Sequence, residues 1–219
     1  MSPFLKKAIT ALAALLLVAC SGAYMTSDAD VRYLAMAIED GAVRLAYRDH
    51  GKGKPVILLH GFGASSYTWR HVEPELVKDG FRVLTVDLKG FGLSDKPIDE
   101  KYSIFDQAHL ISGFIRQMQL NDVTIIGHSL GGGVALVLAL DDKKDLRDRI
   151  SRLVLIDSVA YSQNIPIAFN ILRTPVIGQI GSRLVPIEVQ TRVALKLAFY
   201  DDSKFDSEDV KQYADALKD

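Results

Sequence analysis

The chain of 219 residues is 48% hydrophobic and 24% charged, with a formal net charge of −1 at pH 7. That composition provides for one sizeable core. It excludes an intrinsically disordered chain, which pairs low hydrophobicity with high net charge, and a basic nucleic-acid-binding surface. The single cysteine, Cys20, excludes an intrachain disulfide framework, and no internal repeat or low-complexity tract is present.

Residues 1–19 combine Lys6 and Lys7 with an apolar run over residues 8–18 and a small residue, Ala19, directly before Cys20. This is the pattern of a secretory signal peptide rather than of a folded element. The apolar run is shorter than the ~20 residues that cross a hydrocarbon core of ~30 Å. Leu17-Val18-Ala19-Cys20 resembles the lipobox of bacterial lipoproteins, in which the cysteine is lipid-modified and becomes the mature N-terminus; an ordinary cleaved signal followed by a chance cysteine is the alternative. Loss of residues 1–19 removes two lysines and no acid, taking the formal charge from −1 to −3. Acyl chains, at ~0.8 kcal/mol per buried CH₂, would then hold the protein at a membrane of the cell envelope without help from a basic patch. Ser21 stands where inner-membrane-retained lipoproteins of many Gram-negative bacteria carry Asp, so the resemblance implies the outer membrane if the cell is Gram-negative. Residues 20–30, small and polar, read as the lipidated tether.

Residues 43–48 alternate apolar and polar side chains as a half-buried strand does, and His50-Gly51-Lys52-Gly53 supplies a turn. Continuous apolar runs follow at residues 56–59, 83–86, 123–126 and 153–156, the pattern of strands covered on both faces. Helical segments at residues 67–78, 103–119 and 130–140 separate them, with Phe105, Ala108, Ile111, Ser112 and Ile115 expected on the apolar face of the second. Strand and helix in alternation predict an α/β fold with a doubly wound, mostly parallel sheet, whose ligands bind beyond the carboxyl ends of the strands. Further helical patterns occupy residues 189–199 and 207–217, the latter opening on Ser207, Glu208 and Asp209.

The chemistry-bearing residues fall at those strand ends. His60-Gly61-Phe62-Gly63 follows the first apolar run, Asp87 and Gly90-Phe91-Gly92-Leu93-Ser94 the second, and Gly127-His128-Ser129-Leu130-Gly131 the third. Gly127-x-Ser129-x-Gly131 matches the nucleophile elbow, a strained strand-to-helix turn that lifts the serine hydroxyl above the sheet, with glycines leaving room for close backbone approach. The N–H groups and dipole of the following helix favour developing negative charge there. With its preceding strand and small-residue helix, the motif makes Ser129 the candidate catalytic nucleophile.

Over residues 43–157, these three ordered motifs resemble the α/β-hydrolase fold superfamily. The resemblance implies that the backbone N–H groups of Phe62 and Leu130 form an oxyanion hole, one donor of which can be worth ~3 to 4 kcal/mol in a transition state. It also implies that His60 is a packed loop former, that His128 points away from the nucleophile, and that Asp87 and Ser94 stabilise their loop. His50, His71 and His109 are assigned to a turn and to helices, with surface or capping roles, and Tyr67 and Trp69 to the core. Related epoxide hydrolases and haloalkane dehalogenases carry Asp at the position of Ser129. Serine implies acyl transfer through an ester intermediate, a chemistry shared by carboxylesterases, lipases, thioesterases and C–C bond hydrolases.

A serine hydroxyl needs a base, normally a histidine oriented by a carboxylate, and in this fold the chain order is Ser, then Asp or Glu, then His. All five histidines precede Ser129. Some superfamily members take the acid from the strand end where Asp157 stands, but in the closer resemblance an Asp here is usually not the triad acid. The resemblance places residues 31–160 in the hydrolase core and residues 161–219 in a partial helical cap, after which relatives add two strands carrying the acid and the histidine. The expectation is therefore a serine esterase or lipase-like hydrolase represented by a C-terminally truncated chain; the alternative is a non-catalytic, lipid-anchored binding or degenerate protein. The expected partners are a small-molecule acyl substrate and, through the lipid, a membrane, with no nucleic acid and no identified protein partner. No cofactor or metal motif is present, since the elbow lacks the Gly-Lys-Ser/Thr of a phosphate loop.

Overall fold

The computed structural model describes residues 30–39, 41–141, 144–161 and 185–218. The expected signal peptide, Cys20 and nearly all of the tether lie outside the described residues, as do residues 162–184 of the expected cap. The chain divides into two units, Met1–Asp30 and Val31–Asp219, and the sheet with its helices belongs to the second.

Six strands form one sheet: β1 (Arg32–Ile38), β2 (Gly41–Gly51), β3 (Pro55–Leu59), β4 (Arg82–Val86), β5 (Val123–His128) and β6 (Ile150–Ile156), in the order β1-β2-β4-β3-β5-β6. β1 and β2 form an antiparallel hairpin with Leu34 opposite Leu45, and β2 runs antiparallel to β4. From β4 to β6 the pairing is parallel, with β3 at the centre. A 3-10 turn (Ser66–Trp69) and α1 (Glu73–Lys78) connect β3 to β4, α2 (Ile104–Gln117) connects β4 to β5, and α3 (Leu130–Ala139) with the short α4 (Lys144–Arg147) connects β5 to β6. The doubly wound, mostly parallel α/β sheet expected from the sequence is thus present.

The continuous apolar runs follow from burial on both sides of a pleated strand. In β3, Ile57 and Leu59 join Leu45, Leu84, Val86 and Ile125 beneath α2 and α3. Val56 and Leu58, on the opposite side, pack with Val83 and Trp69. α2 starts with a capping box in which Ser103 and Asp106 exchange hydrogen bonds with each other's backbone N–H.

Several expectations are corrected. β1 adds a strand that the sequence reading did not separate. His50 lies within β2 rather than in a turn. The single helix expected over residues 67–78 is two pieces, because Pro74 inside a continuous helix would clash with the carbonyl of Arg70 and lack an N–H; it occupies the start of α1 instead. Phe105 is 67% exposed, since it lies about 120° around α2 from Ile111, which faces the core. β6 also differs from a strand covered on both faces. It is the edge strand of the described sheet, and Val154, Leu155 and Ile156 are 44%, 42% and 39% exposed, whereas Ile150 and Leu153 pack against the core.

Two helices close the described chain, α5 (Ile187–Ala198) and α6 (Ser207–Asp215), which pack on each other through Leu195, Phe205 and Val210. They match the two late helical patterns. The cap of α6 is Asp206, one residue earlier than expected, and Asp209 completes its capping box.

Candidate active site

The elbow is a sharp turn between β5 and α3. Ser129 sits at φ 50° and ψ −112°, outside the regions that L-residues ordinarily populate. The turn is held by backbone bonds: the Ser129 N–H donates to the Ile156 carbonyl (2.9 Å), and the Ser129 carbonyl accepts from Gly133 N–H and Val159 N–H (both 3.1 Å). Only glycine fits on either side. A Cβ at Gly127 would lie 2.4 Å from the Gly131 carbonyl oxygen, and one at Gly131 would lie 2.3 Å from the Leu59 carbonyl oxygen. The flanking glycines are a packing requirement, as the motif implies.

The loop after β3 runs alongside this turn. A Cβ at Gly61 would stand 3.3 Å from Ser129 Cβ and 2.9 Å from His128 Nδ1, so a side chain there would crowd both residues. His60 fixes the loop from beneath. Its Nε2 accepts from Leu88 N–H (3.0 Å), which leaves the ring proton on Nδ1 to donate to the Gly61 carbonyl (2.8 Å). Complete burial pushes the His60 pKa below the ordinary histidine value, against the opposing charge of Asp87. A neutral imidazole with both nitrogens engaged is a structural part, the role expected for it. The Ala64 N–H closes the loop on the Gly61 carbonyl (3.3 Å). Neither Phe62 N–H nor Leu130 N–H donates to a backbone carbonyl among the described loop and cap contacts, and Leu130 opens α3, where a helix leaves its first N–H groups free. The Phe62 side chain is 69% exposed and meets Phe91 edge to face at 5.4 Å.

Asp87 and Ser94 tie the loop after β4 to its neighbours. Asp87 accepts from Ser66 N–H (2.6 Å) through one carboxylate oxygen and from Leu93 N–H (2.9 Å) through the other. Ser94 Oγ donates to the Asp87 carbonyl (2.6 Å) and accepts from Ala46 N–H (2.8 Å). Lys89, in the same loop, is buried, and its ammonium is held by both oxygens of Asp99 and by the Lys101 carbonyl.

The remaining histidines are dispersed. His50 bonds Glu73 of α1, His71 lies in the turn before α1, and His109 lies on the exposed side of α2. The buried Nδ1 of His128 makes no hydrogen bond among the described residues. Trp69 is buried, as expected, whereas Tyr67 is half-buried and bonds α6. Asp157 is exposed and, at φ 45°, shares the strained backbone of Ser129.

The sequence reading missed the contribution of residues 156–159. Ile156 and Val159 bracket Ser129 through their backbones, and Ser158 packs so close to the start of α3 that a Cβ at Gly132 would lie 1.9 Å from its Oγ. The second glycine of Gly131-Gly132-Gly133 was the available signal. The reading also missed Arg70, whose guanidinium reaches α6.

Residues 54–173 match the alpha/beta hydrolase fold family. Among curated proteins, the chain is 34% identical over 123 residues to 2-hydroxymuconate semialdehyde hydrolase of Pseudomonas sp. (strain CF600), covering 55% of this chain and 42% of that one. It is 37% identical over 119 residues to soluble epoxide hydrolase of Corynebacterium sp. (strain C12), covering 53% and 38%. The matched stretch thus spans about two fifths of the length of these relatives. Among solved structures, epoxide hydrolase CorEH superposes with a TM-score of 0.69 at 28% identity over 85% of this chain and 68% of that one. The meta-cleavage product hydrolase of Pseudomonas fluorescens IP01 gives 0.65 at 29% identity over 80% and 60%. With a match across more than half of its length, a shared sheet and an elbow of the required geometry, the chain belongs to the alpha/beta hydrolase fold family.

Proposed function

We propose that this chain carries the nucleophile and oxyanion donors of a serine hydrolase acting on a carboxylic ester-type small molecule through an acyl-enzyme. The observation that carries the reading is the strained elbow at Ser129 with Gly61 alongside it. In this reading the Ser129 hydroxyl attacks the substrate carbonyl, its proton passing to a base, and the tetrahedral oxyanion takes hydrogen bonds from Phe62 N–H and Leu130 N–H. Collapse, with the base returning the proton to the leaving oxygen, expels the alcohol and leaves the acyl group esterified to Ser129; water then attacks that ester, releasing the carboxylic acid and restoring the hydroxyl. The base is assigned to none of the five histidines: all precede Ser129, and His60 has both ring nitrogens engaged. The relatives named as epoxide hydrolase and semialdehyde hydrolase support hydrolysis of a small molecule, and serine as nucleophile favours the acyl route.

The test is covalent labelling of the purified chain with a serine-directed fluorophosphonate, followed by peptide mass spectrometry. The expected result is one adduct on Ser129, formed faster than in the urea-unfolded chain and lost in Ser129→Ala. Labelling no faster than in urea overturns the reading in favour of a non-catalytic hydrolase-like protein. We further propose that Cys20 is lipidated and anchors the protein at the cell envelope, supported by Leu17-Val18-Ala19-Cys20. Expression in a bacterium fed labelled palmitate should give a labelled, membrane-pelleting product that Cys20→Ala abolishes; an unlabelled, freely soluble wild type overturns the anchor.

A further inference from the structure

The last described helix reaches the loops around the elbow by several routes. The Asp209 side chain accepts from the Arg70 guanidinium (2.6 Å) and the Tyr67 hydroxyl (3.0 Å) through Oδ1, and from Asp206 N–H (3.0 Å) through Oδ2. Arg70 also lies over the Tyr67 ring, 4.3 Å from its centre. Tyr213 meets Tyr67 edge to face and shares a hydrogen bond with Thr68 Oγ1 (3.2 Å). Where α6 ends, the Ala216 carbonyl accepts from Gly92 N–H (3.0 Å) and the Lys218 carbonyl from Lys96 Nζ (2.6 Å). Leu217 stands 3.9 Å from the position a Cβ on Gly63 would occupy.

These contacts fall into two groups. One meets the segment that continues from the loop after β3, and the other meets the loop after β4. The Arg70 and Asp209 side chains are only 15% and 10% exposed, so their ion pair lies in a drier setting than the surface pairs elsewhere in the molecule. Removing one member would strand a buried charge.

We propose that Asp209 is a positioning residue: gripped by Arg70 and Tyr67, it clamps α6 across the loops that follow β3 and β4, steadies the backbone carrying the Phe62 N–H, and sets Leu217 beside Gly63 as a wall of the site. The clamp itself rests on the geometry of α6. Its meaning for catalysis rests on the serine-hydrolase reading. Phe62 and Gly63 are a few residues upstream of the 3-10 turn that Asp209 holds, and the Ser65 carbonyl, which accepts from Thr68 N–H (3.0 Å), links the two.

The test is amide hydrogen exchange by mass spectrometry on the purified chain, comparing wild type with Asp209→Asn and with Tyr67→Phe, which removes one hydroxyl and leaves the ion pair. The clamp predicts that Asp209→Asn raises exchange at least tenfold both in α6 and in peptides spanning residues 61–70, while β3 and β5 keep wild-type protection. Tyr67→Phe should raise exchange two- to fivefold in the same peptides. If Asp209→Asn unfolds the whole chain, Arg70→Met/Asp209→Leu, which removes both charges, should refold it with β3 and β5 protected while residues 61–70 still exchange faster than in wild type. Increased exchange in α6 alone, with residues 61–70 unchanged in both single variants, overturns the proposal, because the loop is then held without the clamp. Fluorophosphonate labelling separates the two layers: a wild type that does not label defeats the hydrolase reading, whereas exchange decides the clamp either way.

Discussion

The elbow at Ser129 and the attachment of α6 are built over different distances along the chain. At the elbow, the steric demands fall on Gly127 and Gly131, each of which would drive a Cβ within 2.4 Å of a carbonyl oxygen. At the attachment, Asp209 meets Tyr67 and Arg70, and Tyr213 meets Thr68, partners 139 to 145 residues apart. A turn that admits only glycine leaves its requirement in the sequence as a motif. An arginine and an aspartate that meet after folding leave no such trace, because either residue is ordinary on a solvated surface. Chemistry carried by local backbone is therefore legible early, and the contacts that position it become visible only with the fold.

Gly131→Val forces side-chain atoms against the Leu59 and His60 carbonyls and should cost roughly 3 kcal/mol or more of stability, read by urea unfolding. A loss below about 1 kcal/mol would mean that the elbow tolerates a side chain. Arg70→Met leaves Asp209 buried without its cation and should cost about 3 kcal/mol by the same measurement. Combined with Asp209→Asn in a double-mutant cycle, it should show a coupling of roughly 1 to 3 kcal/mol; additivity would mean that the pair does not act as a unit.

Ser94→Ala removes one acceptor and one donor from buried backbone and should cost about 1 to 3 kcal/mol. The smallest effect concerns pH. His60 is held neutral below its ordinary range, so the unfolded chain takes up a proton that the folded chain refuses. Its stabilising contribution is fully present above the unfolded value of about 6.5 and is lost as pH falls from there through the lower folded value. Chemical unfolding of wild type and His60→Gln from pH 7.5 to 5.5 should show a steeper decline in wild type; parallel curves would mean that the fold does not hold His60 neutral.

Much of the sheet was legible because burial on two faces leaves an unbroken apolar run. Residues 56–59, 83–86 and 123–126 fall within β3, β4 and β5. The α2 face was legible except at its start, where spacing alone put Phe105 with residues that lie well around the helix from it. The β1–β2 hairpin was only half read: burial alternates from Leu34 to Ile38, but the outward positions are Tyr33, Ala35 and Ala37, which give the sequence no apolar–polar alternation. At the site, the elbow, the loop glycines and the structural role of His60 followed from the motifs. The bracket formed by residues 156–159 did not, because it acts through carbonyl and N–H groups that every residue possesses.

That bracket gives Ser129 a mechanical dependence. Ser129 receives and donates backbone hydrogen bonds on either side of Asp157, so two strained residues, one at the end of β6 and one at the start of α3, are locked into a single knuckle. Displacing the end of β6 would carry the serine with it. The position of Ser129 is thus set in part by the backbone at the end of a strand that lends the turn no side chain of its own.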